Sequence, residues 1–119
     1  MRKSILITGC SSGIGLDCAE TLHAMGWKVF ASCRKQADCD RLEAMGLTSP
    51  RLDHADAASI RDTIDQVTKA TGGTLDAVFN NGAFAVPGAV EDLPTDALRS
   101  IYETNVFGYH EVIRQVLPI

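Results

Sequence analysis

The stretch Ile5-Leu6-Ile7-Thr8-Gly9-Cys10-Ser11-Ser12-Gly13-Ile14-Gly15 decides how this chain is read. Residues 4–8 form an apolar run closing on Thr8, the pattern of a short strand buried on both faces. Three glycines follow, and the pattern then turns helical, with Ile14, Cys18, Leu22 and Met25 at helical spacing. This predicts a helix that packs these four residues on a sheet and that Gly26 stops. A strand that passes into a helix through glycines leaves the helix's first backbone N–H groups around an open, positively polarised space. A phosphate fits there. Gly9 supplies the tight turn, Gly13 removes a side chain that would block a pyrophosphate, and Gly15 lets the helix pack closely. Ser11 and Ser12 add hydroxyl donors. The spacing is GxxxGxG rather than GxGxxG, and the missing Gly-Lys-Ser/Thr ending disfavours a nucleoside triphosphatase.

Working outward, residues 28–33 read as a second strand, and Leu42 and Met45 mark a short helix ended by Gly46. Residues 49–53 read as a third strand, weakened by Pro50. Ile60, Ile64 and Val67 mark a helix that Gly72 and Gly73 terminate before a strand over 75–79. Residues 95–116 form the longest helical pattern, with Leu98, Ile101, Asn105, Gly108 and Val112 on one face. Strand and helix alternation predicts an α/β fold, a three-layer Rossmann-like parallel sheet joined by right-handed crossovers. The expected strand order, counted along the chain, is 3-2-1-4, partial and without C-terminal strands. Residues 1–119 are expected to be a single dinucleotide-binding domain, truncated relative to a six-strand fold. The last strand would then have an open edge that invites self-association.

Composition narrows the function. The formal net charge of -4 and the lack of any basic run disfavour a nucleic-acid or anionic-membrane partner. No apolar stretch suits a bilayer span, and the N-terminus lacks a signal-peptide core, so a cytoplasmic location is expected. Cys10, Cys18, Cys33 and Cys39 contain no CxxC pair, which points to reduced structural thiols rather than a disulfide framework or a metal site.

The end of the second strand bears on the cofactor. An acid there would bind the adenosine ribose hydroxyls, whereas an arginine can pair with a 2′-phosphate. Cys33 is followed by Arg34 and Lys35, and no acid appears before Asp38. This favours NADP over NAD, against the alternative of a solvated surface pair.

Thr8, Gly9, Gly13, Ile14 and Gly15 match the TGxxxGIG motif of the short-chain dehydrogenase/reductase family. Asn80-Asn81-Gly82-Ala83 resembles the family's NNAG motif with its last two residues exchanged, and Asn105 with Gly108 resembles its NxxG helix element. The resemblance covers essentially all 119 residues and looks like the N-terminal portion of such an enzyme. It implies cofactor contacts from the glycine loop (Gly9, Ser11, Ser12, Gly13, Ile14, Gly15), Arg34 and Asn81-Gly82-Ala83, with Asp53 meeting the adenine amino group beside His54. It implies that Asn80 steadies the sheet, where the alternative is a simple turn residue. It implies that Asn105 belongs to the catalytic set, holding a water in a proton relay; the alternative is a satisfied polar group on a helix. The family's serine and Tyr-x-x-x-Lys pair are absent, since neither Tyr102 nor Tyr109 has a lysine four positions later.

The resulting expectation is the cofactor-binding part of an NADP-dependent oxidoreductase, interconverting a small-molecule carbonyl and alcohol by hydride transfer. The chain alone is expected to be catalytically incomplete, and the intact protein a homo-oligomer. A non-catalytic nucleotide-binding module is the alternative, and Arg34 argues against a methyltransferase-like domain, which would want an acid in that place.

Overall fold

The alternation of Ile5, Leu6 and Ile7 organises the computed structural model, which describes residues 2–119. The elements run β1 (Ser4–Ile7), α1 (Gly13–Ala24), β2 (Lys28–Ala31), α2 (Gln36–Ala44), α3 (Ala57–Thr71) and β3 (Ala77–Phe79). A short 3-10 turn (Val90–Asp92) then precedes α4 (Thr95–Tyr102), a π-helical segment (Glu103–Gly108) and α5 (Tyr109–Val116). β1 lies between β2 and β3 and is parallel to both, with Leu6 beside Phe30 and Val78.

Ile5, Ile7, Val29 and Ala31 pack on one face against Ala19 of α1 and Cys39 and Leu42 of α2. On the other face Leu6 and Phe30 meet Ile60, Ile64 and Val67 of α3 and Val112 of α5. Helices thus cover both faces of a parallel sheet, which makes three layers and explains why these strands are apolar without alternation. Phe30 is 2% exposed. Truncating such a phenyl group to alanine costs roughly 3–5 kcal/mol. α3 follows its sequence pattern closely. The Asp56 carboxylate accepts from the Ala58 and Ser59 N–H groups at its start, and Gly72 adopts the left-handed conformation (φ 76°) at its end.

Three expectations differ from what is observed. Among the described residues the sheet has three strands in the order β2-β1-β3, where β3 is the strand expected fourth, so the expected order 3-2-1-4 lacks its first member. Residues 48–51 run parallel beside β2 and the residues after it but form no ladder with them, only the isolated bridges Phe30 with Thr48 and Cys33 with Arg51. The Ala31 N–H donates to the Thr48 carbonyl at 2.8 Å and the Leu52 N–H to the Cys33 carbonyl at 2.9 Å. Between them, a regular parallel ladder would give the Ala31 carbonyl the N–H of residue 50. Pro50 has none. The Ser49 hydroxyl donates to that carbonyl instead, at 2.6 Å.

The second difference is the face of α1. Ile14 is 73% and Met25 68% exposed, while Gly15 and Ala19 are buried and Leu16, Cys18 and Leu22 pack partly against the core. Small residues bring this helix onto the sheet, and hydropathy periodicity does not register them. The third is the long helix, which is interrupted by the π-helical segment. Leu98 is 55% exposed, whereas Gly108 and Val112 are buried, so the stripe inferred from spacing is not one face.

Candidate functional site

The site is built where the chain leaves β1 and β3. Thr8 is fully buried, and its Oγ1 accepts hydrogen bonds from the backbone N–H groups of Asn81 and Gly82, both at 3.0 Å. The Asn81 carboxamide donates in turn to the Gly9 carbonyl at 3.1 Å. The two motif-bearing turns are therefore tied to one another directly. Gly9 has φ 69°, and a Cβ there would lie 2.5 Å from the Gly82 Cα, so both conformation and space exclude a side chain. Gly15 has no such backbone requirement, but its Cβ would lie 2.4 Å from the Gly9 carbonyl oxygen and 2.7 Å from Asn81 Nδ2. By contrast, nothing lies within 4 Å of a Cβ on Gly13, whose φ of 61° faces open space at the start of α1. Ser12 makes no side-chain cap there. The first N–H groups of α1 thus lack the usual capping oxygen at a helix end that attracts anions.

A cavity of about 360 Å³ opens beside this loop. It gathers Gly9, Ser11, Ser12, Arg34, Asp53, His54, Asn81, Gly82 and Ala83 from the residues singled out in the sequence. Gly13, Ile14, Gly15 and Asn105 do not line it. Ile14 projects into solvent, and Gly15 lies beneath the loop as packing. Lys35, Asp38, Leu52, Phe84 and Thr104 also line the cavity and were not singled out as binding residues. Lys35 and Asp38 carried a signal, following Arg34 into the first turn of α2; Phe84 and Thr104 reach the cavity by tertiary folding alone.

The cavity's charges are not mutually cancelled. The ion pairs of the described residues are Arg41 with Asp38, Arg51 with Asp56, Arg99 with Asp96 and Arg114 with Glu111. Arg34 and Lys35 take part in none of them. Arg41 holds Asp38 at 3.4 Å and also donates to the Ser11 carbonyl at 2.7 Å, bracing the glycine loop from α2. Asp53 is fixed as a turn, its Oδ1 accepting the Ala55 N–H at 2.9 Å and its own N–H donating to the Ser59 hydroxyl at 2.9 Å.

His54 is 7% exposed, and its Nε2 lies 3.2 Å from Asn80 Oδ1. Burial lowers its pKa below the ordinary value of 6.5, opposed by the Asn80 hydrogen bond and the Asp53 charge. The cysteines behave differently. Burial raises the Cys10 pKa far above the ordinary thiol value and pushes that of Cys33 up to about 11, so both stay protonated and unreactive at neutral pH. All four cysteines are unpaired with one another.

Asn105 sits in the π-helical segment with its carboxamide turned to the loop after β3. Its Oδ1 accepts the Phe84 N–H at 3.2 Å, and its Nδ2 donates to the Phe84 carbonyl at 2.8 Å. One amide side chain thereby satisfies both backbone groups of a loop residue that lines the cavity. π-helical turns inside helices are frequent at functional sites.

A strand-to-helix glycine loop beside a polar cavity on a three-layer parallel sheet now stands next to a family model. The model described as short chain dehydrogenase matches residues 3–119. The chain belongs to the short-chain dehydrogenase family. This family member is 37% identical over 118 residues to the uncharacterized oxidoreductase YbbO of Escherichia coli strain K12, aligning 99% of its own length with 44% of that protein. Among solved structures, the NADPH-bound carbonyl reductase from chicken fatty liver matches with a TM-score of 0.89 and 26% identity, over 99% of this chain and 52% of that one. A short chain dehydrogenase/reductase from Burkholderia phymatum in complex with NAD matches with a TM-score of 0.87 and 25% identity, over 99% and 44%. The short-chain dehydrogenase described here thus spans about half the length of the proteins it matches. Among its described residues no helix is long and apolar enough to cross a membrane.

Proposed function

We propose that this chain binds NADP(H) as the cofactor-holding part of an oxidoreductase that interconverts a small-molecule carbonyl and an alcohol. The observation that carries the reading is Arg34 with Lys35. Both line the cavity beside the glycine loop with no carboxylate partner among the described residues, while Asp38, the next acid along the sequence, is engaged by Arg41. A 2′-phosphate supplies the partner these cations lack, whereas the ribose hydroxyls of NAD would want an acid at that point. The matched solved structures include one with NADPH and one with NAD, so the preference rests on this chain's own residues.

The residues present fit such a ligand. The uncapped start of α1 and the open space at Gly13 suit a pyrophosphate, with the Ser11 and Ser12 hydroxyls as further donors. Asp53 keeps a second carboxylate oxygen for the adenine amino group, and Asn81, Gly82 and Ala83 line the same cavity. When bound, the nicotinamide gives or takes the hydride. Asn105, oriented by its two bonds to Phe84, is the one member of the family's catalytic set that these residues contain. The 119 residues hold no Tyr-x-x-x-Lys, so cofactor binding rather than turnover is proposed for them alone. Leu98 and Phe107, 55% and 57% exposed along α4 and the π-helical segment, support a homo-oligomer of the intact protein through this helix.

Calorimetric titration with NADPH and NADH tests the proposal. NADPH is expected to bind tighter than NADH, and Arg34→Asp to cost NADPH about 10- to 100-fold in affinity, the value of a charge-assisted hydrogen bond plus the new repulsion. An unchanged preference between the two nucleotides in Arg34→Asp refutes the assignment.

A further inference from the structure

His54 lines the cavity but is packed tightly against two glycines. A Cβ on Gly82 would come within 3.0 Å of its Cε1 and 3.1 Å of its Nδ1. From the other side, a Cβ on Gly108 would come within 2.4 Å of both its Cβ and its carbonyl oxygen. The Tyr109 ring packs beside it, with centroids 4.9 Å apart and planes inclined at 48°. Gly82 thus makes room for the imidazole, and Gly108 for the Cβ and backbone of the same residue. The polar contact is equally specific. An amide oxygen only accepts, so in the neutral ring the Asn80 Oδ1 at 3.2 Å selects the tautomer with its proton on Nε2. Nδ1, beside Gly82, is then the unprotonated nitrogen.

We propose that His54 and Gly82 are a matched pair in which the imidazole fills the space a side chain at position 82 would need and fixes the Asn80–Ala83 turn against Gly9. His54 is then a positioning residue for the dinucleotide cavity, and the inference rests on the nucleotide-binding reading above. It accounts for the exchanged order in which glycine precedes alanine in Asn80-Asn81-Gly82-Ala83. The turn reaches the glycine loop through the Thr8 hydroxyl and the Asn81 carboxamide, so displacing residue 82 displaces the loop as well. The ring acts in its neutral form. Protonation would put a second N–H on the Nδ1 that faces position 82 and place a charge among Asp53 on its own segment, Tyr109 of α5 and, lining the same cavity, Arg34, Lys35 and Asp38. Burial already favours the neutral ring.

A double-mutant cycle over His54→Ala and Gly82→Ala, read by NADPH titration of the full chain and in parallel by urea unfolding, tests the pair. Contacting residues couple, so Gly82→Ala is expected to weaken NADPH about 10-fold in the wild-type background and less than about 3-fold beside His54→Ala, where only the Gly9 N–H still crowds the new methyl. Equal losses in the two backgrounds, or no loss in the first, overturn the proposal. Wild-type protein that binds neither NADPH nor NADH overturns the nucleotide-binding reading instead, and the urea midpoints then decide the pair by the same comparison, additivity overturning it. His54→Gln, which keeps a donor near the Nε2 position and does not titrate, supplies a readout that packing alone would not move. NADPH affinity of the wild type should fall more steeply below pH 6.5 than that of His54→Gln; superimposable pH profiles overturn the positioning role.

Discussion

Replacing Thr8 by valine removes one hydroxyl and almost no volume, yet it should destabilise the chain strongly. Oγ1 accepts the Asn81 and Gly82 N–H groups, both at 3.0 Å, from a residue that is fully buried. Valine offers neither an acceptor nor room for water in the acceptor's place. An orphaned buried donor costs about 1–3 kcal/mol. Asn81 and Gly82 are half-buried, so the lower part of that range applies to each, for a sum of about 2–3 kcal/mol. Against a typical total of about 5–15 kcal/mol this is a large fraction. With a urea slope of about 2 kcal/mol/M, the unfolding midpoint should fall by about 1–1.5 M. Thr8→Ser, which keeps the acceptor and loses a methyl, should fall by less than half as much. A Thr8→Val midpoint within about 0.3 M of wild type, or a Thr8→Ser loss as large as that of Thr8→Val, would show that the hydroxyl does not hold the two turns together.

Gly15→Ala should destabilise despite the better helix propensity of alanine, worth about 1 kcal/mol, because its methyl would sit 2.4 Å from the Gly9 carbonyl oxygen. A net loss of about 1–3 kcal/mol by urea unfolding, together with weaker NADPH binding, is expected; unchanged stability and affinity would mean the loop yields freely. His54 should also write itself into the pH dependence of stability. The unfolded chain takes up its proton near 6.5 and the folded chain only at lower pH, so this contribution is complete above pH 6.5 and is lost as pH falls from 6.5 toward the lowered folded value. Urea midpoints over that window should slope in the wild type and flatten in His54→Gln; equal slopes would count against the buried neutral ring.

What the sequence made legible was local. β1 and α3 could be read because a run of apolar residues, or a stripe at helical spacing with caps, is dictated by neighbours along the chain. Pro50 even marked where the ladder beside β2 would break, since a residue without an N–H cannot occupy a donor position. The face of α1 was read in part: Cys18 and Leu22 pack toward the core, but Ile14 and Met25 are exposed and the buried contacts are Gly15 and Ala19, whose small size weighs little in an apolar stripe. The π-helical segment was invisible because spacings of three and four are compatible with an unbroken α-helix. At the site, the glycine loop and Arg34 stood out by position. The bracing of Ser11 by Arg41, the acceptor role of Thr8 and the contact of His54 with Gly82 join residues far apart in sequence. No periodicity encodes such pairings.

The π-helical segment also bears on how this chain can vary. In an α-helix each residue removed turns everything after it by about 100°. The i→i+5 bonds of Glu103–Gly108 take up one residue more than α geometry would over the same span, so a one-residue deletion there that let the helix relax to α geometry would keep Gly108 against His54 and Val112 in the layer beneath the sheet. The same relaxation without a deletion would turn both away. The segment is therefore a slack residue in the helix. It can absorb the loss of one residue, whereas a deletion within α4 or α5 would turn everything after it.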